Sequence, residues 1–408
     1  MNIVIINHYA GSPGHGMEYR HYYLARQWTG LGHRVCIVAA SYSHLRRRQP
    51  DTGGMMTREI VDGIQYLWLK TPRYRGNGAR RALNMLTFAL LLVFSTKKIL
   101  RICRPGLVVA SSPHPFIIFG ADRIARASNA RLTFEVRDLW PLTLTELGGI
   151  SERHPFIVMM QKAENIAYRV SDRVISLLPK ADSYMREHDL RRGKFVYIPN
   201  GIDGAEWQSS NKAGNTHHMT ALSEIKRQEK FIVGYAGAHG PANELHALID
   251  AAALMQSCPV VFVLIGHGPE KKQLRQRAGK KGLQNVVFLD SVPKSDIPGL
   301  LTSMDILYIG LKNEPLFRFG VSPNKLMDYM MAARPVIHAI NAGNDMVSES
   351  NCGISIAPGQ PEAIRDAVIK LINMTAAERN AMGARGRDYV LAHHDFRVLA
   401  RRFFEAVI

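Results

Sequence analysis

Short runs of consecutive apolar residues alternate along the chain with longer stretches whose apolar positions recur at helical spacing. The first run, 2–7, is followed by a glycine-containing turn at 11–16 and by a helical pattern from Glu18 to Leu31. Continuous apolar runs separated by helices are typical of a parallel sheet with both faces covered. The pattern predicts further strands in this half at 34–40, 107–111, 132–136, 174–178 and 195–198. The segment 41–80 has a weaker pattern and is predicted to form an exposed loop or a short hairpin.

The same alternation starts again in the second half of the chain, after 199–203. Residues 208–222 are polar and predict a loop, and new strands are predicted at 231–236, 260–265, 286–289, 305–309 and 335–338. Helices are predicted at 243–256, 270–279, 295–303 and 323–332, with another from 361. The sequence therefore predicts an α/β fold of two doubly wound, parallel-sheet, Rossmann-like domains facing across a cleft, at 1–199 and 200–384. A final helix, 385–408, could pack back on the first domain.

Positive charge is concentrated in the first half. The net charge is +18 at pH 7, and residues 1–199 hold 29 Lys and Arg against 14 Asp and Glu. This excess predicts an anionic partner for the first domain, and nucleic acid and anionic lipid are both candidates on charge alone. The sequence has no recognised helix-turn-helix or zinc motif and does not interleave aromatic and basic residues, which disfavours nucleic acid.

An apolar segment in the first half, 83–94, has basic residues on both sides. About 12 helical residues span only ~18 Å, too short for a hydrocarbon core of ~30 Å. The basic and apolar helix 80–104 is therefore either buried against the sheet or lies in a membrane interface with its flanks on lipid phosphates. We expect peripheral contact with the inner face of the cell membrane, because a core helix does not need the flanking charges. The run after Met1 is not typical of a signal peptide, and the four cysteines are widely spaced, so a cytoplasmic location is expected.

The candidate chemistry of the second half lies in turns after strands and at one helix start. Glycine there lets backbone amides approach an anion, and a helix N-terminus adds a favourable dipole. Ser322 is predicted to cap a helix that has Pro323 and Lys325 in its first turn. A cation there is unfavourable for the helix unless a bound diphosphate compensates it, and Asp328, one turn further on, could accept from ribose hydroxyls. The turn and helix-start positions are Gly237, His239, Gly240, Gly266, Gly268, Gly320, Ser322, Asn324, Lys325 and Asp328.

Several motifs resemble those of the retaining glycosyltransferases of family 4, in the branch that builds bacterial O-antigen, capsule and exopolysaccharide. These motifs are Gly32 to Val35, Glu135 to Pro141, Ile198 to Asp203, Ile265 to Gly268, and Ser322 to Lys325. The resemblance covers nearly the whole chain and implies the GT-B fold. It also implies transfer of a sugar, with retention of configuration, from a nucleotide diphosphate sugar to a polyprenyl-diphosphate-linked or saccharide acceptor. On family grounds the donor is a UDP-sugar.

The resemblance assigns roles to individual residues of the second half. It implies that Lys325 holds the diphosphate, with help from Arg318, and that Asp328 takes the place of the family's second glutamate. Glu314 or Gly320 stands near the first glutamate, which touches the donor sugar. The match departs from the family pattern, because the gap from Glu314 to Asp328 is too long. The Arg and Lys usual after the first glycine turn are also missing.

In the first half the resemblance places the glycine turn, Gly14, His15 and Gly16, near the donor phosphates and the acceptor. Arg137 and Asp138 stand where many relatives have His-Asp. Arg137 could clamp a phosphate or hydroxyl while Asp138 orients the acceptor or stabilises developing positive charge, or the two could form a buried ion pair at a strand end. His114, between two prolines, is a further cleft candidate, and an ordinary loop histidine fits equally well.

The sequence has no D-x-D motif, so neither a metal nor a cofactor is expected. Backbone amides, the helix terminus and Lys325 would instead stabilise the departing diphosphate. Two other functions stay open on this architecture: a sugar-nucleotide epimerase or phosphorylase, and a catalytically inactive scaffold on membranes.

Overall fold

The computed structural model describes residues 1–16, 19–76, 78–210 and 216–408. It divides the chain into two compact units, one formed by Met1–Asn200 with Phe396–Ile408 and the other by Gly201–Asp395. Each unit contains a sheet of mainly parallel strands with helices between them. The predicted α/β fold with two parallel-sheet domains is therefore confirmed.

The sheet of the first unit is centred on strands whose side chains are almost completely buried. Its strands are β1 (Asn2–Asn7), β2 (Arg34–Ala40), β3 (Met56–Val61), β4 (Ile64–Leu69), β5 (Leu107–Ser111), β6 (Arg131–Val136), β7 (Arg173–Ser176) and β8 (Phe195–Tyr197). The order across the sheet is β3-β4-β2-β1-β5-β6-β7-β8, and only the β3–β4 pair is antiparallel. The order changes direction between β1 and β5, and the carboxyl ends of strands at such a point are where open α/β sheets bind ligands.

Helices cover the first unit's sheet. They are α1 (Arg20–Gly30), α2 (Ala79–Phe94), α3 (Thr96–Ile102), α4 (Ile118–Ser128), α5 (Leu142–Glu146), α6 (Pro155–Val170) and α7 (Asp182–Glu187). Helix α1 packs on the sheet through buried aromatic residues, among them Tyr23 and Trp28. Its predicted first residue, Glu18, lies outside the described residues, and the helix in the structure begins at Arg20.

The segment predicted as an exposed loop or short hairpin, 41–80, contains a hairpin whose second strand is part of the core. Strands β3 and β4 are joined at Asp62-Gly63, both with positive φ, as the tightest hairpin turns require. Strand β4 then pairs in parallel with β2, and Tyr66 and Trp68 are fully buried. Arg46 is buried too, and its guanidinium group donates hydrogen bonds to the carbonyls of Ala10 and Ala40. The exposed-loop alternative was therefore wrong for this strand.

The second unit contains a fully parallel sheet. Its elements, in chain order, are α8 (Gly204–Ser209), α9 (Thr216–Arg227), β9 (Phe231–Ala236), α10 (Leu245–Ala253), β10 (Val260–Ile265), α11 (Lys271–Lys280), β11 (Val286–Leu289), α12 (Ile297–Thr302), β12 (Ile306–Gly310), α13 (Asn324–Met331), β13 (Val336–Ala339), α14 (Met346–Ser350), β14 (Gly353–Ser355), α15 (Pro361–Ile372) and α16 (Ala376–His393). The strand order is β11-β10-β9-β12-β13-β14, which changes direction between β9 and β12. The predicted loop 208–222 is helical at both ends, in α8 and α9, and residues 211–215 lie outside the described residues.

The predicted C-terminal helix 385–408 is two helices. Helix α16 belongs to the second unit and ends at His393, and α17 (Phe396–Val407) belongs to the first. Between them the His394 carbonyl accepts from the Ile202 amide at 2.9 Å, and Asp395 forms a β-bridge with Ile202, which interrupts the helix. Helix α17 packs on α1, where Trp28 and Phe403 meet edge to face and the Trp28 indole N–H donates to the Ala400 carbonyl.

Candidate functional site

The two glycine turns after β9 and β10 lie directly against each other. A Cβ atom on Gly266 would stand 1.9 Å from the Gly237 carbonyl oxygen, and one on Gly268 would stand 2.4 Å from the His239 carbonyl oxygen. The Gly237 amide donates to the Ile265 carbonyl at 2.9 Å, and the His239 amide donates to the His267 carbonyl at the same distance. Only glycine permits this approach of the two backbones. The structure thus brings the two predicted turns together at the carboxyl edge of the sheet.

Lys325 reaches the first of these turns from helix α13. Its Nζ donates to the Tyr235 hydroxyl at 2.9 Å and to Asn243 Oδ1, and its Cε lies 3.5 Å from a Cβ built on Gly237. Burial lowers the pKa of Lys325 to about 8, because both partners are neutral and water is largely excluded. The ammonium group is therefore held where an anion on the glycine turn would meet it. The sequence did not predict that Tyr235 holds Lys325, because a tyrosine within an apolar strand is expected to be an ordinary core residue.

The start of helix α13 differs from its prediction. The helix begins at Asn324, Pro323 occupies the capping position, and no side chain caps the first turn. The prediction that Ser322 caps the helix was therefore wrong by one position; Ser322 is half-buried and Asn324 exposed. The first-turn amides of this helix carry no side-chain cap, which suits an anion-binding terminus.

His239 is completely buried and stays neutral at pH 7. Burial, reinforced by the positive charges of Lys271 and Arg275, lowers its pKa to about 4. Neither ring nitrogen has a hydrogen-bond partner among the described residues. Its backbone holds the turn instead, because the His239 carbonyl accepts from the Glu270 amide at 3.0 Å. The residue can offer a phosphate an N–H donor but not a positive charge. Gly240 leads from this turn into the short 3₁₀ helix Pro241–Asn243.

Asp328 follows Lys325 by three residues, so both lie on the same side of α13. The carboxyl group is half-buried, and desolvation raises its pKa to about 6, although the positive charge of Lys294 acts in the opposite direction. A carboxylate in this position can accept hydrogen bonds from hydroxyl groups such as those of a ribose.

The loop after β12 is fixed by backbone contacts. It forms a 3₁₀ helix, Pro315–Phe319, and Gly320 follows with φ of +107°. Arg318 is exposed; it donates to the Pro315 carbonyl at 2.8 Å and lies 4.3 Å from the centre of the Phe319 ring. These contacts turn Arg318 towards its own loop. Glu314, at the start of the loop, is half-buried.

In the first unit, the glycine turn is a compact loop closed by neighbouring backbone. The amides of His15 and Gly16 both donate to the Ser12 carbonyl, and Gly16 has a φ of +90°. His15 is buried, with Nδ1 2.8 Å from the Ser12 hydroxyl and Nε2 3.4 Å from a Glu59 carboxylate oxygen. Gly14 is exposed at the tip of the turn. The predicted turn therefore presents Gly14, while the His15 side chain faces the protein.

Arg137 and Asp138 follow β6 at the carboxyl edge of the same sheet. The Arg137 amide donates to the Ser112 hydroxyl at 2.9 Å, which joins this turn to the one after β5. Arg137 is half-buried and Asp138 is exposed. Because Asp138 is exposed, a pair between these two residues would not be buried, as that alternative expects.

A buried charge network beside this turn escaped sequence reasoning. Glu135 is fully buried and accepts from Arg20 Nε at 3.0 Å, His21 Nε2 at 2.9 Å and the Ser111 hydroxyl at 2.6 Å. Burial alone would raise the pKa of Glu135, but Arg20 and the bonds from His21 and Ser111 hold it well below its usual range. Arg20 also donates to the Pro199 and Ile198 carbonyls. The network joins α1, β5 and β6 to the backbone that follows β8, at Ile198 and Pro199.

His114 is also buried, and it contacts a second histidine. Its Nε2 lies 3.0 Å from His8 Nδ1, and His8 Nε2 lies 2.6 Å from Asn84 Oδ1. His8 follows β1 and His114 follows β5, the two strands between which the strand order changes direction. Burial, with the positive charge of Arg81, lowers the pKa of His114 to about 3. His114 lies in the loop after β5, but its burial and its contact with His8 distinguish it from a solvated loop histidine.

Two features bear on metals and membranes. Among the described residues, no three His, Cys, Asp or Glu side chains are grouped so that they could hold a metal ion. In that same part of the chain no single helix is long and apolar enough to cross a membrane; α2 and α3 together meet the criterion of length and composition but are bent by 64° at their junction.

One side of helix α2 is buried, and its exposed side also carries apolar residues. Asn84, Phe88 and Leu92 face the protein, whereas Leu90 and Phe94 are exposed, Phe94 by 79%. The basic residues that flank this apolar surface are themselves exposed: Arg80, Lys97, Lys98, Arg101 and Arg104. Other large apolar side chains exposed in the same unit include Phe119, Leu147, Val158 and Met159.

Comparison with known proteins identifies the family. Residues 230–374 match the model described as Glycosyl transferases group 1, and residues 15–201 match that of the Glycosyl transferase 4-like domain. Both models describe glycosyltransferases and together they match most of the chain, which therefore belongs to the glycosyltransferases. It is 21% identical over 340 residues to the proposed colanic acid biosynthesis glycosyl transferase WcaI of Escherichia coli (strain K12), with 82% of each chain covered.

Solved structures share the fold of the chain. The structure of Anabaena Alr3699/HepE in complex with UDP superposes with a TM-score of 0.70 at 18% identity and covers 99% of each chain. That of WaaG, a glycosyltransferase involved in lipopolysaccharide biosynthesis, superposes with a TM-score of 0.66 at 14% identity, again over 99% of each chain. At these identities the likeness establishes the fold alone, which is the GT-B architecture.

Proposed function

We propose that this protein transfers a sugar from a UDP-sugar to a lipid-linked or saccharide acceptor during synthesis of a bacterial surface polysaccharide. The observation that carries the proposal is the position of Lys325, whose ammonium group lies over the Gly237 turn and is bonded to Tyr235 and Asn243. A half-buried ammonium group beside closely packed backbone turns is suited to binding a diphosphate. The complex of HepE with UDP and the name of WcaI support the donor and the pathway class.

In the proposed reaction the second unit binds the donor. Lys325, the amides of the Gly237 turn and the first turn of α13 would stabilise the negative charge that develops on the departing diphosphate. Asp328 would accept from the ribose hydroxyls, and Glu314 with the Gly320 turn would lie on the side of the donor sugar. Because Lys325 supplies a fixed positive charge, the proposed transfer needs no metal, and we propose retention of configuration at the transferred carbon.

The first unit is the proposed acceptor domain. Gly14, His114, Arg137 and Asp138 stand at or beside the carboxyl edge of its sheet, where they would meet the acceptor. The exposed apolar side of α2 and its basic flanks would lie in the interface of an anionic membrane, at the cytoplasmic face, next to a lipid-linked acceptor. This arrangement also accounts for the charge excess of the first half.

The test is nucleotide binding followed by transfer. UDP, GDP and inorganic phosphate are titrated into the protein by calorimetry, with and without EDTA. UDP-hexoses and UDP-N-acetylhexosamines are then supplied with polyprenyl-diphosphate-linked saccharides, and the anomeric configuration of any product is determined by NMR. Binding of UDP in EDTA and transfer with retention are the expected results. If UDP does not bind, or if donor is converted without any acceptor, the proposed function is wrong.

A further inference from the structure

The contacts of His8, His114 and Asn84 determine where their protons lie. The Asn84 amide nitrogen donates to the Pro72 carbonyl at 2.6 Å, so its oxygen is the atom that faces His8. That oxygen can only accept, and His8 Nε2 must therefore carry the proton of a neutral imidazole. His8 Nδ1 is then an acceptor, and the group that faces it, His114 Nε2, must donate.

The last atom of this chain of hydrogen bonds is His114 Nδ1, which is left with a lone pair. Nδ1 is buried and has no hydrogen-bond partner among the described residues. Both imidazoles are completely buried, and Arg46 and Arg81 add positive charge near His8, so neither ring gains a second proton near pH 7. A neutral lone pair attracts a hydroxyl group and does not attract a phosphate oxygen, which is itself an acceptor.

The location of the pair adds a second, independent observation. His8 and His114 follow β1 and β5, adjacent parallel strands at the change of direction in the strand order. Asn7 holds the two turns together, because its Nδ2 donates to the Ser112 carbonyl at 2.7 Å. Ligands of open α/β sheets bind at this place.

We propose that His8 and Asn84 are positioning residues that hold His114 as its Nε2–H tautomer, so that His114 Nδ1 accepts a hydrogen bond from a sugar hydroxyl of the acceptor. This rests on the proposed function for the identity of the ligand, whereas the tautomer follows from the contacts alone. Asn84 lies on α2, so the helix with the exposed apolar side also fixes the orientation of His114.

The tautomer is measured by NMR of protein labelled with 15N in its histidine rings, with His114 assigned from a His114→Gln variant. We expect Nε2–H for His114 in the wild-type protein. His8→Phe removes the acceptor for that proton, and His114 should then populate both tautomers. His8→Asn places an amide oxygen near the position of Nδ1 and should keep the wild-type tautomer, and Asn84→Leu should behave like His8→Phe. An Nδ1–H tautomer in the wild type, or an unchanged tautomer in both His8→Phe and Asn84→Leu, would overturn the proposal.

The ligand is tested by adding glucose, galactose, mannose and N-acetylglucosamine in turn to the wild-type protein with UDP present. At least one saccharide should shift the His114 Nδ1 resonance, and UDP alone should not. In the transfer assay, His8→Phe should lower kcat/KM about tenfold, as the loss of one hydrogen bond would, with unchanged UDP affinity, and His8→Asn should retain most activity. No shift with any saccharide contradicts the assignment of His114. Absence of UDP binding would contradict the proposed function but would not affect the tautomer result.

Discussion

Lys325 Nζ lies 2.9 Å from the hydroxyl oxygen of Tyr235, which joins the first turn of α13 to the end of β9. The contact holds a long, flexible cationic side chain in one place without neutralising it, because a phenol is uncharged near pH 7. Tyr235 in turn donates to the Ala238 carbonyl at 2.6 Å, so the same hydroxyl fixes the glycine turn. The ammonium group and the turn are thus positioned together before any ligand binds, which reduces the entropic cost of binding a diphosphate.

Replacing Lys325 by alanine is expected to weaken UDP binding by about 1.5–3 kcal/mol, the value of a hydrogen bond to a charged group. Calorimetry with UDP measures it. Lys280→Ala is the matched control, because Lys280 is an exposed lysine at the C-terminal end of α11. The UDP affinity of this variant should equal that of the wild type. Equal UDP affinity in wild type and Lys325→Ala would show that the diphosphate binds elsewhere.

The affinity for UDP should also fall as the pH rises from about 7 to about 9. Burial lowers the pKa of Lys325 to about 8, so the ammonium group loses its proton within this range. The terminal phosphate of UDP titrates near pH 6, so its charge stays constant. The loss should approach about tenfold per pH unit above the pKa. Lys325→Arg stays charged and should show no such decline; a decline of the same size in the arginine variant would refute this explanation.

The strands could be predicted closely because each is a continuous apolar run bounded by turn residues. Strands β1, β2, β5, β9, β10 and β11 have the predicted bounds. The hairpin β3–β4 was harder to predict, because β4 enters the sheet only through its pairing with β2, about 30 residues earlier in the chain. The break at His394 was not visible either, since it depends on the contact with Ile202.

The site was predictable where a glycine turn follows a strand, and unpredictable where a contact joins distant residues. Gly237, Gly266 and Lys325 are in the predicted group because strand ends in one parallel sheet share an edge. Asn84 looked like one polar residue in an apolar helix, and only the structure places it against His8. Contacts between residues that are distant in the sequence, such as this one, cannot be predicted from the local sequence pattern.

Gly266→Ala tests the close approach of the two turns. A Cβ at this position would meet the Gly237 carbonyl oxygen at 1.9 Å, so one backbone must move. We expect loss of stability by more than about 1 kcal/mol, measured by urea denaturation, together with weaker UDP binding. Gly279→Ala is the control: it lies in α11 with no atom within 4 Å of its Cβ, and it should stabilise the protein by about 0.5–1 kcal/mol. A fully stable Gly266→Ala variant with normal UDP affinity would contradict the tight packing.

Glu135→Gln should destabilise the first unit by roughly 3–5 kcal/mol, because it leaves the guanidinium of Arg20 buried without its counter-charge. Urea denaturation measures the change, and Glu224→Gln, at an exposed surface pair, should cost less than about 1 kcal/mol. The native state lowers the pKa of Glu135, so its contribution is complete above about pH 5 and is lost as the pH falls below about 4.3. Equal acid sensitivity in Glu135→Gln and the wild type would contradict this role.

Substitutions can distinguish membrane contact through α2 from non-specific binding of the protein surface to lipid. Leu90→Asp and Phe94→Asp remove exposed apolar side chains without touching the buried side of the helix, where Phe88 and Leu92 lie. Burying a side chain of this size contributes about 1.5–3 kcal/mol, so each change should weaken binding to phosphatidylglycerol vesicles at least about tenfold in a flotation assay. UDP affinity should not change, because the donor residues lie in the other unit.

The control is Ile60→Asp on β3, the edge strand of the same unit's sheet, where the Ile60 side chain is exposed by 76%. If the vesicles contact α2, this variant should bind them as the wild type does, since a lone exposed apolar residue on a strand contributes nothing to an interface it does not reach. Replacing phosphatidylglycerol by phosphatidylcholine should weaken wild-type binding, because the exposed Lys97, Lys98 and Arg101 lose their anionic partners. Equal losses in Ile60→Asp and Leu90→Asp would mean that the apolar side of α2 is not the membrane contact.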